Sequence, residues 1–467
     1  MKVLLTHGYF LHEDPKEQQI MKPYVPLGIL YISAYLERNN IDNEVFDSTF
    51  SSFDTLKTYI ATHQPTYIAM YVNLMTKLNV LKIISFVKNH PQLKDTPLIL
   101  GGPEVKNHAQ NFLNHGADYL VIGEGEESCY ELIKALERGE KEKLMWVNGL
   151  CFKDTYGNAH FTTPREKIKN IDDLPFPNRK KVDLTKYLSA WKERHGKNAI
   201  SVSTMRGCPY TCKWCSRAVY GLSYRRRSAE SVVAELTSIK NTYNPDTVWF
   251  VDDVFTVSHK WLQEFRDEIK KKNVQLDYEC ITRADRLTEE VFQLLKESGC
   301  FRVWIGAESG SQKIIDAMNR RVDVNKVREM IQLAKKYGIE AGTFIMLGYP
   351  GETEADIEET IHHLKTSNPD HFTITIAYPI KGTELYQEVE SDFTTHLPWE
   401  NSTDRDIDFK RTYSRKYYDY AVRRVVNEVF YYKSTLRHSL LHTQTMKLKL
   451  KSVAAKSAMW FYRTVHS

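Results

Sequence analysis

Short apolar runs alternate with amphipathic segments along this chain, and this pattern, which occurs in two separate series, most constrains the fold. In the first series, helical patterns at residues 27–37 and 77–88 lie between apolar runs at residues 3–5, 44–46, 67–72, 98–100 and 119–122. Strands that alternate with helices form a parallel sheet covered on both faces. We therefore predict an N-terminal doubly wound, Rossmann-like α/β domain with its ligand site at the carboxyl ends of the strands.

The second series contains six strand–helix pairs between residues 196 and 386. The predicted strands lie at residues 199–204, 247–251, 275–281, 303–307, 341–347 and 371–377, and helical patterns lie at 229–241, 288–298, 324–337 and 354–366. A complete eight-fold barrel typically needs about 250 residues. The pattern therefore predicts a partial (β/α)6 barrel of the TIM type.

A chain of 467 residues is too long for one core, so several domains are expected. We predict a first domain over residues 1–145 and a linker over residues 146–195, where residues 171–178 hold two prolines and no helical period. The barrel follows over residues 196–386, and a mainly helical, basic and aromatic region over residues 387–467 completes the chain.

The chain has seven cysteines, three of them within the eight residues 208–215. The apolar run near the N-terminus is too short for a signal peptide, and no stretch is apolar for long enough to span a bilayer. We therefore expect a cytoplasmic protein. In that reducing compartment, clustered cysteines indicate metal binding and not disulfides.

The clustered cysteines have the spacing C-x3-C-x2-C in Met205-Arg-Gly-Cys208-Pro-Tyr-Thr-Cys212-Lys-Trp-Cys215, directly after the first strand of the second series. Thiolates are the usual ligands of iron–sulfur clusters, and three of them leave one iron of a cubane open for chemistry. A structural zinc site or three unrelated thiols are the alternatives. Zinc is disfavoured because no Cys or His follows Cys215 within ten residues.

This motif resembles the signature of the radical S-adenosylmethionine (radical SAM) superfamily, in which an aromatic residue such as Trp214 precedes the last cysteine. The resemblance implies that Cys208, Cys212 and Cys215 hold a [4Fe–4S] cluster whose open iron binds S-adenosylmethionine (SAM). One electron from the cluster then releases a 5′-deoxyadenosyl radical. An external donor of the flavodoxin or ferredoxin type is expected to supply that electron.

Four further segments resemble the family's SAM-binding turns, and all follow predicted strands. They are Val251-Asp-Asp253, Ile305-Gly-Ala-Glu-Ser-Gly310, Leu347-Gly-Tyr-Pro-Gly-Glu-Thr353 and Ala377-Tyr-Pro-Ile-Lys-Gly-Thr383. The resemblance covers residues 196–386 and implies SAM contacts from Trp214, Asp252, Asp253, Arg283, Glu308, Ser309 and Gly348. An ordinary salt bridge for Arg283, and a structural cap for the two aspartates, remain alternatives.

The first domain resembles the cobalamin-binding domain that precedes many radical SAM barrels. The matching segments are residues 25–36, 45–47, 71–76, 101–104 and 123–126. Adjacent glycines at a strand end let a large flat ligand approach the backbone. The cobalamin contacts expected from this resemblance are Asn73, Met75, Thr76, Gly101, Gly102, Glu104, Gly123 and Glu124.

One departure from the cobalamin domains concerns the lower face of cobalt. Many such domains carry D-x-H-x-x-G, whose histidine binds cobalt from below, and this chain lacks that motif. Among relatives with a radical SAM barrel the histidine is commonly missing, so cobalamin remains expected. His7, His12 and His108 are alternative ligands, and a degenerate domain that only packs against the barrel is the alternative to cobalamin binding.

The last part of the chain carries its basic charge. Residues 433–467 contain seven Lys or Arg and no Asp or Glu, so this segment is +7 and the rest of the chain is −2. Basic residues interleaved with apolar ones suit an anionic membrane surface, and nucleic acid is a further but unfavoured partner. A helical lid or a solvated tail without a partner remains the alternative.

The combined resemblance implies a cobalamin-dependent radical SAM methyltransferase acting on an unactivated carbon of a small, hydrophobic or membrane-derived substrate. In this chemistry one SAM methylates cobalt and a second generates the radical. Enzymes of the same architecture, including the anaerobic magnesium-protoporphyrin monomethyl ester cyclases, carry out oxidative cyclisation or rearrangement without methyl transfer.

Two other functions are disfavoured. A tRNA methylthiotransferase would need three further N-terminal cysteines, and none precedes Cys129. A non-catalytic cobalamin or redox sensor would have no need of both the cysteine motif and the SAM-binding turns.

Overall fold

The computed structural model describes residues 2–464 and divides into two compact units. The first unit contains the residues up to 209, residues 216–248 and residues 397–405. The second contains residues 210–215, 249–396 and 406 onward. Of the predicted basic segment 433–467, residues 465–467 lie outside the described part of the chain.

The first unit is built on a seven-stranded sheet with the order β2-β1-β3-β4-β5-β6-β7. Its strands are β1 (Val3–His7), β2 (Asn43–Phe46), β3 (Tyr67–Tyr71), β4 (Leu98–Gly101), β5 (Tyr119–Val121), β6 (Leu150–Lys153) and β7 (Ala159–Phe161). Strands β1 to β5 pair in parallel, and β6 and β7 add an antiparallel hairpin. The order of the parallel strands is that of the flavodoxin-like doubly wound fold, so the predicted fold class is confirmed.

The helices of this unit follow its strands. They are α1 (Pro15–Ile20), α2 (Leu27–Arg38), α3 (Phe53–His63), α4 (Lys77–Asn89), α5 (Ala109–Asn114), α6 (Glu126–Glu137), α7 (Leu184–His195) and α8 (Ala229–Tyr243). Ser52 caps α3 by accepting a hydrogen bond from the backbone of Thr55. The core holds fully buried Leu4, Ile68 and Leu98 from neighbouring strands. Such strands read as continuous apolar runs because both sheet faces are covered.

The segment predicted as a linker, residues 146–195, carries β6, β7 and α7 in the structure. Side chains cover the backbone at both outer strands of the first sheet. On β2, the carbonyl of Asn43 accepts a hydrogen bond from Lys181 Nζ at 2.9 Å. On β7, the N–H of Ala159 donates to Gln110 Oε1 at 2.7 Å.

A second sheet has six strands in the order β15-β14-β13-β12-β11-β8. The remaining strands of the chain are β8 (Ala199–Val202), β9 (Met205–Arg206), β10 (Arg225–Arg226), β11 (Thr247–Phe250), β12 (Asp277–Thr282), β13 (Cys300–Glu308), β14 (Glu340–Leu347) and β15 (His371–Ile376). The strands of the six-stranded sheet follow one another in chain order, and β12 to β15 pair in parallel. The predicted partial (β/α)6 barrel is therefore confirmed.

The helices of the second unit complete the barrel and the C-terminal region. They are α9 (His259–Lys271), α10 (Glu289–Glu297), α11 (Gln312–Ala317), α12 (Val324–Lys336), α13 (Glu354–Ser367), α14 (Glu384–Val389), α15 (Arg415–Thr435) and α16 (Thr443–Thr464). Helix α13 begins with a capping box between Thr353 and Asp356. Among the described residues, no helix is both long and apolar enough to cross a membrane.

Candidate cofactor sites

The first unit contains a cavity of about 570 Å³ at the carboxyl ends of its parallel strands. Ligands of doubly wound sheets bind at this edge, and a volume of this size suits a large small-molecule ligand. Seven of the eight predicted cobalamin contacts line the cavity: Asn73, Met75, Thr76, Gly101, Gly102, Gly123 and Glu124. The eighth, Glu104, is not among its lining residues.

The loop between β3 and α4 is held by its own side chains. Asn73 Oδ1 accepts hydrogen bonds from the backbone N–H groups of Met75 and Thr76 at 2.9 and 3.0 Å. Thr76 Oγ1 in turn accepts a hydrogen bond from the backbone of Asn73 at 2.9 Å. These bonds fix the shape of the cavity wall before any ligand arrives.

Two glycines explain how the backbone of this wall can approach a ligand. Gly102 has a φ of +113°, and a Cβ placed there would meet the carbonyl oxygen of Val72 at 2.4 Å. Gly123 also has a positive φ, +84°. Glycine adopts such conformations at no steric cost, and without a side chain it leaves the peptide plane open. Bare backbone at these two positions of the wall fits the predicted corrin ring.

A buried network of opposite charges forms another part of the wall. Arg206 Nη1 donates to Glu124 Oε1 at 2.8 Å and Arg206 Nη2 donates to Glu126 Oε1 at 2.5 Å. Arg225 Nη1 donates to Glu124 Oε2 at 2.6 Å. Although burial alone would lower the pKa of Arg206, Glu126 and Glu124 hold it well above its usual value. Each charge is thus paired, as a buried charge requires.

His7 is the one histidine that lines this cavity within residues 2–464, and both of its ring nitrogens have partners. Nδ1 accepts a hydrogen bond from the backbone of Tyr9 at 3.1 Å, so Nε2 carries the proton and donates to Asp47 Oδ1 at 3.1 Å. Burial alone would raise the pKa of Asp47, but the bonds from His7 and Tyr187 lower it. With both nitrogens occupied, His7 offers no lone pair to cobalt.

Glu104 belongs to a separate buried group with His108 and Asp404. His108 Nε2 lies 3.8 Å from Glu104 Oε2 and 4.0 Å from Asp404 Oδ1. Burial and then the charge of Asp404 raise the pKa of Glu104 to about 7, although Lys77 opposes this. His108 therefore lies among carboxylates, and His12, on a surface turn, is likewise not a lining residue of the cavity.

The three motif cysteines differ in burial. Cys212 is buried, whereas Cys208 and Cys215 are partly exposed, and none of the three forms a disulfide. The backbone N–H of Cys215 donates to the carbonyl of Cys212 at 3.4 Å. Thiols without disulfide partners suit the thiolate set that an iron–sulfur cluster needs.

Two guanidinium groups in the second unit point at the sulfur of Cys212. Arg283 Nη1 lies 3.8 Å and Arg320 Nη1 3.9 Å from Cys212 Sγ. Arg283 packs over the ring of Tyr210, 3.8 Å from its centroid, and also donates to Asp285. Hydrogen bonds to cluster sulfurs stabilise their negative charge, so these donors fit a cluster ligand at Cys212.

Arg320 also organises the turn after β13. It donates to the carbonyl of Gly306 through Nε and Nη2, at 3.2 and 2.7 Å, and its Nη2 lies 3.6 Å from Glu308 Oε1. Glu308 has a positive φ of +67°, an uncommon conformation for a residue with a side chain. Burial raises the pKa of Glu308, and the two guanidinium groups of Arg320 and Arg283 oppose that rise.

The predicted SAM-contact aspartates follow β11. Asp252 is buried and Asp253 is exposed at the surface of the loop. Desolvation of its carboxyl group by the surrounding protein is the main cause that raises the pKa of Asp253, and the like charge of Asp252 raises it further. Trp214 packs against a small apolar group that includes Met318 and Tyr349.

Ser309 and Gly348 have partners within their own turns. Ser309 Oγ accepts a hydrogen bond from the backbone of Ser311 at 3.1 Å. The N–H of Gly348 donates to Glu352 Oε2 at 2.6 Å, and burial raises the pKa of Glu352 to about 8. Contact of these residues with SAM stays a prediction.

Sequence reasoning missed three side chains that the structure brings to these sites. Arg206 and Tyr220 line the cavity of the first unit, and Arg320 lies beside Cys212. Arg206 stands two residues before Cys208, so its place in the motif offered a signal. Arg320 follows a short helix and belongs to no motif, so only the tertiary structure reveals it.

Two models of known families match separate parts of the chain. The model of the Radical SAM superfamily matches residues 202–364, and that of the B12 binding domain matches residues 20–133. These ranges contain the cysteine motif and most of the cavity wall, respectively.

Three curated relatives resemble most of the chain. An uncharacterised methyltransferase of Pyrococcus horikoshii is 28% identical over 82% of this chain and 82% of its own. The anaerobic magnesium-protoporphyrin IX monomethyl ester cyclase of Rubrivivax gelatinosus is 24% identical over 83% and 70%, respectively. The hopanoid C-3 methylase of Methylococcus capsulatus is 26% identical over 79% and 70%.

A solved structure shares the fold along nearly the whole chain. It is the radical SAM methyltransferase TsrM from Kitasatospora setae, with cobalamin and a [4Fe–4S] cluster bound. The TM-score is 0.74 at 16% identity, and the match covers 98% of this chain and 100% of that one.

Proposed function

Because the chain belongs to the radical SAM enzymes that carry a B12-binding domain, we propose that it methylates an unactivated carbon of a small, hydrophobic substrate. Its cofactors are a [4Fe–4S] cluster, SAM and cobalamin. When bound, the cluster and SAM supply a 5′-deoxyadenosyl radical and cobalamin supplies a methyl group. The protein's own residues bind and orient these groups.

The observation that carries this proposal is the cavity of the first unit. Its position at the strand ends, its size and its glycine wall suit a corrin, and the same chain carries the radical SAM motif. The loop of Asn73 and the paired charges of Arg206 hold its walls in place. Since His7 has both nitrogens engaged, the cavity supports cobalamin without a histidine ligand from this residue.

The second group of proposed roles concerns the cluster and SAM. We assign the cluster to the three cysteines and the SAM contacts to side chains of the barrel turns. The assigned contacts are Trp214, Asp252, Asp253, Arg283, Glu308, Ser309 and Gly348. Acidic residues suit the SAM ammonium and Arg283 suits its carboxylate, because charge-assisted hydrogen bonds are strong.

The named relatives favour a hydrophobic substrate, since one acts on a hopanoid and another on a magnesium-protoporphyrin ester. A substrate of this kind partitions into membranes. We accordingly propose that the C-terminal segment, residues 433–467, contacts a lipid surface. An external flavodoxin or ferredoxin would supply the electron.

The test is turnover by anaerobically reconstituted holoenzyme with SAM carrying a deuterated methyl group, against a panel of isoprenoid lipids and porphyrin esters. We expect deoxyadenosine together with a product that carries the deuterated methyl. Cys212→Ala should abolish deoxyadenosine and retain cobalamin, whereas Cys280→Ala, which removes a buried thiol outside the motif, should retain both.

Other outcomes separate the alternatives. Deoxyadenosine with a cyclised or rearranged, unlabelled product would favour the cyclase-type reaction, which the resemblance to the Rubrivivax enzyme supports. Iron-loaded protein that never cleaves SAM, or protein that binds zinc at the three cysteines, would refute the enzymatic assignment. Protein that cleaves SAM but does not retain cobalamin would refute methyl transfer and leave the radical SAM assignment intact.

A further inference from the structure

Helix α16 presents an exposed apolar stripe to solvent. At 3.6 residues per turn, its exposed apolar side chains fall within an arc of about 100°. They are Met446, Leu450, Val453, Trp460 and Phe461, each between 48% and 67% exposed. The turn before the helix adds Leu440 and Leu441, 63% and 82% exposed.

Lysines flank this stripe on both sides. The helical period places Lys447 and Lys451 on one flank and Lys449 and Lys456 on the other. All four are exposed, and none of Lys447, Lys451 and Lys456 forms an ion pair within the described residues. An apolar ridge between two rows of lysine is the pattern of a helix that lies in the surface of an anionic membrane.

The opposite face of α16 is anchored to α15. Ser452 Oγ donates to Glu428 Oε2 at 2.7 Å, and Ser434 and Thr445 share a hydrogen bond of 2.6 Å between their hydroxyl groups. At the far end, Arg463 pairs with Glu354 of α13 at 3.0 Å. These contacts already orient the stripe outward, so lipid binding requires no folding of the helix.

We propose that the stripe of α16 docks the enzyme onto an anionic lipid surface, with the apolar side chains among the acyl chains and the lysines at the headgroups. The proposal deepens the function proposed above, since it names the surface from which a hydrophobic substrate is taken. A second copy of this chain suits the stripe poorly. In a two-fold contact these lysine rows would face one another, and residues 433–467 hold no acidic side chain to pair with them.

Charge removal gives the first test. Holoenzyme is sedimented with vesicles of phosphatidylcholine alone or with one-quarter phosphatidylglycerol. We expect binding to the anionic vesicles only, and each lysine contributes roughly fivefold in affinity near such a surface. Lys447→Gln/Lys451→Gln/Lys456→Gln should therefore weaken binding about 100-fold.

Two further variants separate the stripe from general charge. Leu450→Gln/Trp460→Gln retains every lysine and should still weaken binding at least about tenfold, because buried apolar area drives insertion. The matched control Lys260→Gln/Lys272→Gln/Lys336→Gln removes the same charge from exposed positions on or directly after the barrel helices α9 and α12. This control should bind like wild type.

Two properties are measured in solution for every variant: the formation of deoxyadenosine from SAM, and the amount of bound cobalamin. Wild-type protein that cleaves SAM but ignores anionic vesicles would refute docking and leave the proposed function intact. Vesicle binding without SAM cleavage would refute the function and not the docking. Two other results would overturn the lipid assignment. One is a concentration-dependent dimer that the Leu450→Gln/Trp460→Gln variant no longer forms, and the other is RNA binding without vesicle binding.

Discussion

The two guanidinium groups beside Cys212 lead to a measurable electrochemical prediction. Arg320 Nη1 lies 3.9 Å from Cys212 Sγ, and its charge is buried. A reduced cluster carries one more negative charge than an oxidised one, so a cationic donor at a ligand sulfur favours the reduced form. Removal of this donor should therefore make the midpoint potential more negative.

The size of the shift follows from the strength of the contact. Hydrogen bonds that involve a charged group contribute about 1.5–3 kcal/mol, and the long N–S distance favours the lower end. For one electron, a tenfold change in equilibrium is 59 mV, so about 1.5 kcal/mol corresponds to roughly 60 mV. We expect Arg320→Gln to lower the midpoint potential by about this amount. Arg320→Lys should lower it less, since lysine retains the positive charge but lacks the planar set of guanidinium N–H donors.

The assay is a redox titration of the reconstituted cluster without SAM, followed by electron paramagnetic resonance. Arg321→Gln is the matched control, because Arg321 is exposed and donates to Asn319 instead. A potential in Arg320→Gln within about 15 mV of wild type would refute the reasoning, as would an equal shift in Arg321→Gln. Arg283→Gln should shift the potential in the same direction, because its Nη1 lies at a similar distance from the sulfur.

Three further variants test other parts of the structure. Because the pKa of Glu352 is raised to about 8, the folded protein keeps the Glu352 proton between the ordinary pKa of glutamate and about 8, whereas the unfolded chain loses it. The free energy of unfolding should therefore fall as the pH rises towards 8. Glu352→Gln should remove that dependence in thermal melts, while exposed Glu329→Gln should leave it unchanged. Gly102→Ala should destabilise the protein by more than about 1 kcal/mol and lower cobalamin absorbance, and Gly139→Ala, whose positive φ has no neighbour within 4 Å, reports the backbone cost alone. Arg206→Met should cost about 3–5 kcal/mol in chemical denaturation, because buried Glu126 loses its ion pair and buried Glu124 keeps only Arg225; an unchanged midpoint would contradict that reasoning.

Much of the fold was predictable because its strands are buried on both faces. Such strands read as apolar runs, and predicted and observed bounds differ by only a few residues, as for β14 (Glu340–Leu347). The hairpin of β6 and β7 escaped prediction, since its strands are only four and three residues long and such short runs show no clear period. Helix α7 was missed because only Leu184, Tyr187 and Trp191 of its residues are buried.

The candidate sites were predictable where chemistry lies in a local motif. The cysteine spacing and the glycines at strand ends are visible in sequence, because each depends on neighbouring residues. Arg320 lies 108 positions after Cys212 in the sequence, and the contact between them depends on the fold of the barrel. The group of Glu104 with His108 and Asp404 likewise joins distant segments, so no local motif indicates it.

The side chains that cover the outer strands of the first sheet affect how the protein behaves at high concentration. Lys181 occupies the carbonyl of Asn43 on β2, and Gln110 occupies the N–H of Ala159 on β7. A neighbouring molecule that extends the sheet would first have to displace these bonds. These bonds therefore protect the outer strands of the first sheet against edge-to-edge pairing at these two positions.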